Sequence, residues 1–261
     1  MHPLVFGNGW PPLHWYGVMV ATGFLVGLWT ASRRSVHAGI SGEKILDLGP
    51  WLIVGAILGA RLLYVATFWR EQFSGKPLWE LVAIWKGGLV YYGGLVGASL
   101  ACVLYARFKQ LPVWTLGDIL APSIALGHVF GRIGCFLNGC CYGRECNLPW
   151  AVRFPEGQDM HPVGQPATPV HPTEIYEALL NLGLYFALAW LYRRRRFSGQ
   201  VFAVYLIAYA IVRALVETFR GDYPANQLFF GGRVTPAQMV SVVVLLMGLV
   251  LLRVLPRLER T

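Results

Sequence analysis

The chain contains seven apolar runs, each close to the length that a helix needs to cross a membrane. They cover about 14–31, 48–69, 87–106, 118–137, 175–192, 200–217 and 236–255, and a span requires roughly 20 residues. Only helices and closed barrels satisfy every backbone polar group in lipid, and these runs lack the alternation of barrel strands. We therefore predict an all-α, polytopic membrane protein with seven transmembrane helices.

The composition supports this prediction. Hydrophobic residues make up 56% of the chain and charged residues 13%, whereas soluble domains carry about 25% charged residues. No polar stretch is long enough to build a separate soluble core, so residues 1–261 are expected to form a single integral-membrane domain without a cleavable signal peptide. The net charge of +9 does not indicate a nucleic-acid partner, because the basic residues lie between apolar runs and face lipid headgroups.

Basic residues are divided unequally between the two sides of a seven-span topology. One side holds the loops after spans one, three and five and the C-terminus, and it carries twelve: Arg33, Arg34, Lys44, Arg107, Lys109, Arg193, Arg194, Arg195, Arg196, Arg253, Arg257 and Arg260. The other side carries seven on longer loops: Arg70, Lys76, Lys86, Arg144, Arg153, Arg220 and Arg233. The positive-inside rule then predicts an outside N-terminus and a cytoplasmic C-terminus.

This orientation assigns the remaining polar segments. The run Arg193–Arg196 is interpreted as a solvated anchor at the cytoplasmic headgroups. The connection at about 138–174 becomes an extracytoplasmic loop, and its prolines predict little regular helix. Such a long loop is either a functional cap or a flexible connector.

Arginines at the ends of apolar runs are the strongest functional signal. Arg132 lies in the glycine-rich segment 131–144, and a guanidinium at bilayer depth costs at least about 2.5 kcal/mol. Glycines beside it let backbone N–H groups approach a ligand, which suits a phosphate ester, although an arginine snorkelling to the interface is the alternative. Arg213, Glu217 and Arg220 are spaced i, i+4, i+7 and share one helical face. One carboxylate there leaves surplus positive charge, which favours an anionic ligand.

Four further positions have both a structural and a functional interpretation. Arg61 either anchors its helix or binds substrate. Tyr92, among the glycine pairs that open the third run, and Tyr16, in the first run, are either interfacial aromatics or part of a site. His128 lies one turn before Arg132, and an intramembrane histidine is more often a hydrogen-bonded core residue than a catalytic group.

The remaining polar features are a helix start and a group of cysteines. Thr173 is expected to cap the fifth span, with Glu174 in its first turn. Four of the five cysteines cluster at the end of the fourth span: Cys135, Cys140, Cys141 and Cys146. A zinc site is conceivable there, but the spacing lacks a C-x-x-C pair, so we expect no metal, and no cofactor is expected either. A disulfide within the cluster is the alternative if it faces an oxidising compartment.

Together these motifs resemble the prolipoprotein diacylglyceryl transferase family over essentially the whole length. The segments that carry the resemblance are Trp15–Gly17, Gly59–Leu62, Trp85–Gly94, Gly131–Gly139, His171–Glu177 and Arg213–Arg220. Each alone is weak evidence, whereas their joint order on seven runs is specific.

The resemblance implies an enzyme of the bacterial cytoplasmic (inner) membrane that acts toward the outer leaflet. It would take phosphatidylglycerol and transfer the diacylglyceryl group to the thiol of the lipobox cysteine in a preprolipoprotein signal peptide. A thioether would form and glycerol phosphate would leave. No metal or nucleotide is implied.

The resemblance also implies site residues. Arg132 and Arg213 would stabilise charge on the phosphate, with Glu217 and Arg220 orienting them. The substrate pocket would include Tyr16, Arg61, Tyr92, Asn138 and Gly143. Some members have histidine at the position of Tyr92 and asparagine and an acid at those of Cys135 and Cys140. Because a phenol is a poor base near neutral pH, the arginine field is expected to form the thiolate.

Two other classes compete with this interpretation. A lipid or anion transporter also uses intramembrane arginines and glycine-rich helix ends, but no internal repeat is visible. A seven-helix receptor-like binding protein matches the number of spans only, and that analogy does not account for the arginines.

Overall fold

The computed structural model describes residues 14–154, 168–220 and 234–259. Its long helices are α1 (Trp15–Ser35), α2 (Gly42–Thr67), α3 (Tyr91–Phe108), α4 (Val113–Asn138), α5 (Thr173–Arg194), α6 (Gln200–Glu217) and α7 (Pro236–Leu258). The described residues contain isolated β-bridges but no strand. The all-α prediction is therefore confirmed.

Six of these helices are long and apolar enough to cross a membrane, namely α1, α2, α4, α5, α6 and α7. Many of their large apolar side chains are exposed, as lipid-facing side chains are: Leu25, Leu58, Leu179 and Val243 are 57–65% exposed. The chain is thus a multi-pass membrane protein. Helix α3 is not among the six, since it begins with two tyrosines and two glycines and has Arg107 in its last turn. The seventh span and the orientation of the termini stay predictions.

The chain forms two compact units, one of residues 1–31 and 117–261 and one of residues 32–116. The second unit is built on α2 and α3. Gly59 of α2 faces Gly93 and Gly97 of α3, and a Cβ on Gly59 would collide with the carbonyl oxygen of Gly93 and the Cα of Gly97. The glycines therefore allow the two helix backbones to touch.

In the first unit, α4 supports the start of α6. The buried carboxylate of Asp118 on α4 accepts hydrogen bonds from the backbone N–H groups of Gly199 (2.8 Å) and Phe202 (2.9 Å). Arg195 lies 3.6 Å from the same carboxylate. A carboxylate from another helix thus caps the positive end of α6. The prediction of a solvated basic run is wrong for Arg195, because its guanidinium forms an ion pair with this buried carboxylate.

Several helix ends differ from the limits of the apolar runs. Helix α2 begins at Gly42, in a polar segment before its apolar run. Helix α3 begins at Tyr91, because Gly87 and Gly88 have φ of 80° and 77°, which a right-handed helix excludes. The prediction that Thr173 caps α5 is wrong. Pro172 occupies the cap position, and the Thr173 hydroxyl donates instead to the carbonyl of Cys141 at 2.9 Å.

Candidate active site

A buried carboxylate on α5 joins arginines from two other helices of the first unit. The Oε2 atom of Glu177 lies 3.0 Å from Nε of Arg132 on α4 and 3.5 Å from Nη1 of Arg213 on α6. The Glu177 side chain is only 1% exposed. Two guanidinium groups that would repel each other are therefore held together by the acid between them.

The polar face of α6 extends this network. Nη2 of Arg213 lies 2.8 Å from Oε2 of Glu217, and Nε of Arg220 lies 3.9 Å from the same oxygen. Arg213 and Glu217 lie on one face of α6, as predicted, whereas Arg220 lies three residues beyond the end of the helix and reaches the same carboxylate from there. These ion pairs link three guanidinium groups to two carboxylates, so the linked set carries one surplus positive charge. The arginine side chains are only 9–13% exposed. A cluster buried in this way attracts an anion more strongly than a cluster exposed to solvent does.

The three arginines differ in how their donors are used. Arg132 meets Glu177 through its Nε atom at 3.0 Å. Arg213 uses one terminal nitrogen for each glutamate. Arg132 can therefore offer a two-nitrogen fork to a phosphate, whereas Arg213 is fixed from both sides and contributes mainly its charge.

Two further polar side chains lie on the helices of this network. Nε2 of His128 is 3.8 Å from Oε1 of Glu177 and 3.4 Å from the hydroxyl of Tyr209, which fits the hydrogen-bonded core residue expected at this position. Glu174 is fully buried in the first turn of α5. Its carboxylate oxygens have no hydrogen-bond or ion-pair partner in another described residue.

The segment after α4 closes against the end of α6 and the start of α5. Gly143 forms an antiparallel bridge with Arg220 and donates its N–H to the carbonyl of His171 at 2.9 Å. A Cβ on Gly143 would lie 2.6 Å from Cβ of His171 and 2.8 Å from the carbonyl oxygen of Phe219. Only glycine fits here, so Gly143 allows the contact that brings its segment to Arg220.

Tyr16 and Asn138 belong to the same unit as the arginines. The Tyr16 ring packs against the backbone of Gly134, where a Cβ would be 3.3 Å from Cδ2 of the ring, and Gly134 is two residues after Arg132. Asn138 is the last residue of α4 and lies two residues before Cys140. Seven of the nine predicted site residues thus lie in the first unit.

Arg61 and Tyr92 lie in the second unit. Arg61 is buried and donates to four backbone carbonyls, those of Glu80 (2.6 Å), Leu81 (2.8 Å), Gly87 (2.7 Å) and Gly88 (3.2 Å). These contacts favour the structural interpretation of Arg61, which holds the 78–88 segment in place. Tyr92 lies in the first turn of α3 and is 48% exposed. Substrate binding by either residue stays a prediction.

Three thiols lie beside the network. The sulfur atoms of Cys135, Cys140 and Cys141 are all within 4.8 Å of one another, and none of the five cysteines is in a disulfide. Hydrogen bonds from the other two thiols lower the pKa of Cys141, and the charges of Arg132 and Arg220 lower it further. Among the residues that the structure describes, these three cysteines are the group that could hold a metal ion.

The sequence did not single out Glu177 as a site residue. The sequence places Glu177 only within the His171–Glu177 motif, because an acid near the start of a span can equally face water. An available signal was the surplus of arginines: the charges of α4 and α6 require a second buried acid, and α5 supplies Glu177 between them.

The fold and this network define a multi-pass helical membrane protein with a buried cationic site suited to an anionic group. A profile of the family described as prolipoprotein diacylglyceryl transferase matches residues 3–254. The chain belongs to the prolipoprotein diacylglyceryl transferase family, and its sequence-based assignment as a transferase of lipoprotein biosynthesis is confirmed.

Individual relatives agree with the family match. A phosphatidylglycerol–prolipoprotein diacylglyceryl transferase of Synechococcus elongatus is 38% identical over 243 residues, covering 90% of this chain and 81% of the relative. Proteins of the same name from Thermosynechococcus vestitus and Pasteurella multocida are 36% and 34% identical, covering 92% and 97% of this chain and 87% and 91% of their own lengths. The similarity therefore extends over nearly the whole chain.

Proposed function

We propose that the protein transfers the diacylglyceryl group of phosphatidylglycerol to the lipobox cysteine of preprolipoproteins. The reaction would occur at the outer leaflet of the bacterial cytoplasmic membrane. The sulfur of the thiolate forms a bond to the glyceryl carbon, the carbon–oxygen bond to the phosphate breaks, and glycerol phosphate leaves with the bonding electrons. The thiol proton is released to water.

The observation that carries this proposal is the pairing of Arg132 and Arg213 through Glu177. Negative charge grows on the phosphate oxygens as the carbon–oxygen bond breaks, and donors already fixed in a water-poor site stabilise that charge without reorganising. Arg132 supplies the terminal nitrogens that contact the phosphate. Arg213 adds positive charge from a position fixed by Glu177 and Glu217.

The same positive charge favours the thiolate of the incoming peptide. A thiol reacts as its anion, and a nearby guanidinium stabilises the anion relative to the neutral thiol. The arginine field would thus serve both the attack and the departure of the phosphate, with no imidazole at the position of Tyr92. Tyr16, Asn138 and Gly143 would line the headgroup pocket, and Tyr92 would bind substrate through its hydroxyl.

Both substrates suit a site in the bilayer. The acyl chains of phosphatidylglycerol can stay in lipid between helices while the headgroup reaches the arginines. The signal peptide can enter sideways as a helix, because its apolar segment needs no aqueous path. The bilayer is therefore a partner of the reaction, and no nucleic acid takes part.

The test uses the purified protein in phosphatidylglycerol vesicles with a lipobox peptide. Arg132→Lys keeps the charge but loses the planar fork, so we expect transfer to fall at least about a hundredfold, equivalent to roughly 3 kcal/mol. Arg70→Lys, at an exposed arginine, is the matched control and should leave transfer unchanged. Near-normal turnover in Arg132→Lys would remove Arg132 from the catalytic residues.

The same assay separates the transferase from a lipid transporter. A transferase releases glycerol phosphate from phosphatidylglycerol only when the lipobox peptide is present, and the peptide gains the mass of a diacylglyceryl group. Movement of lipid between leaflets with no release of glycerol phosphate would refute the proposed reaction.

A further inference from the structure

The backbone turns sharply after α4 and brings three thiols together. Cys135 lies in the last turn of the helix, and Gly139 ends it with φ of 74°. Cys141 is also left-handed, with φ of 70°, which is uncommon for a residue with a side chain. The N–H of Cys140 returns to the carbonyl of Cys135 at 3.2 Å. The turn therefore places the two later sulfurs beside the first.

We propose that Cys135, Cys140 and Cys141 form a three-thiolate site for a thiophilic d¹⁰ cation of the Zn²⁺ and Cd²⁺ class. This inference goes beyond the proposed transfer reaction and does not depend on it. Sulfur atoms bound to one zinc lie about 3.8 Å apart, since each Zn–S bond is about 2.3 Å. The three sulfurs are already within 4.8 Å of one another, so binding requires shifts of about 1 Å or less. Thiolate ligands select such soft cations over Mg²⁺ or Ca²⁺.

The electrostatic surroundings suit the complex that would form. Three thiols give up three protons on binding, and three thiolates around a divalent ion carry a net charge of −1. The charges of Arg132 and Arg220 act on the thiol of Cys141, and nearby positive charge stabilises an anionic complex. A fourth position on the ion stays open for water.

The segment that carries the thiols is held in place by its neighbours. The Thr173 hydroxyl donates to the carbonyl of Cys141 at 2.9 Å, and Gly143 pairs with Arg220 and His171. The three sulfur-bearing residues are all partly accessible, so an ion can enter. A bound ion would therefore join the end of α4 to a segment that is already fixed against α5 and α6.

Cadmium binding to the purified, reduced and metal-free protein tests the proposal. The ultraviolet charge-transfer band of cadmium thiolates should saturate at one Cd²⁺ per chain, and competition with a chelator should give a Kd for Zn²⁺ below about 1 μM. The band should be lost or reduced in Cys135→Ser, Cys140→Ser and Cys141→Ser. The matched controls Cys102→Ser and Cys146→Ser should keep it.

A second measurement on the unchanged protein covers the case in which a variant fails to fold. Five thiols should react with a thiol reagent in the metal-free protein, and one equivalent of Zn²⁺ should slow three of them. A Kd weaker than about 10 μM, equal thiol reactivity with and without Zn²⁺, or a disulfide within the cluster that forms despite equimolar Zn²⁺ would overturn the proposal. Each of these results leaves the transferase assay unaffected, so the two proposals fail separately.

Discussion

Replacing Glu177 by glutamine should destabilise the protein strongly although the side chain keeps its size. Among the described residues, Glu177 is the acid that pairs with both Arg132 and Arg213, and the change removes its negative charge. Coulomb attraction at 3.0 and 3.5 Å is about 5 kcal/mol per pair at an effective dielectric constant of 20. Desolvation offsets part of this attraction, and breaking a buried pair from one side costs about 3–5 kcal/mol.

The assay is thermal unfolding in detergent, followed by loss of the folded peak in size-exclusion chromatography. A change of 1 kcal/mol shifts Tm by about 2–4 °C in chains of roughly this size, so Glu177→Gln should lower Tm by about 6–20 °C. Glu43→Gln is the matched control, because Glu43 is exposed at the start of α2 and surface changes stay within about 0.5 kcal/mol.

A Tm for Glu177→Gln within about 3 °C of the unchanged protein would refute this reasoning. It would mean that Arg132 and Arg213 do not depend on the glutamate for their stability in the fold. The positive charge of the site would then have to be balanced by water or lipid rather than by α5.

Four further predictions concern other parts of the chain. Tyr92→Phe should lower the rate of transfer about two- to tenfold, which corresponds to the loss of one hydrogen bond of about 0.5–1.5 kcal/mol. A shift of one unit in the pH at which activity rises would show that the phenol titrates and would contradict this role. Asp118→Asn should lower stability by about 1–2 kcal/mol, read as Tm, because the cap of α6 loses its charge. Gly59→Ala should lose about 1–3 kcal/mol through collision with α3, whereas Gly183→Ala, which has open space, should not lose stability. Burial, and then the charge of Arg144, lower the pKa of His171 in the folded protein. As the pH drops below about 6.5, the unfolded protein binds a proton at this imidazole before the folded protein does, so Tm should fall. His171→Gln should reduce this dependence of Tm on pH.

The apolar runs predicted which segments are helical but not where every helix begins. Helix α6 was predicted at 200–217 and spans Gln200–Glu217, because its apolar run coincides with the helix. Helix α2 extends before its run, since hydropathy marks the part suited to lipid and a helix can continue into polar sequence. Helix α3 starts late because two left-handed glycines precede it, and backbone conformation is not visible in a hydropathy pattern.

The site could be predicted only where its residues lie on one helix. The spacing of Arg213 and Glu217 is enough to place them on one face of α6. The partnership of Glu177 with Arg132 joins two helices separated by the long 138–174 connection, so no local period reveals it. Asp118 was missed for the same reason: its partners on α6 are more than 80 residues away.

The ion pairs of Glu177 have a consequence for the order in which the chain enters the membrane. Helix α4 carries Arg132, yet the acid that balances it lies on α5, which is synthesised later. A lone arginine costs up to about 2.5–3.5 kcal/mol at the bilayer centre on insertion scales, so α4, although apolar enough to cross a membrane, inserts less favourably alone than it would beside an acid. Glu177 of α5 offsets this cost once it lies beside Arg132, and α6 then brings Arg213 to a carboxylate that is already buried. We therefore expect α4 and α5 to insert more favourably as a pair than one after the other.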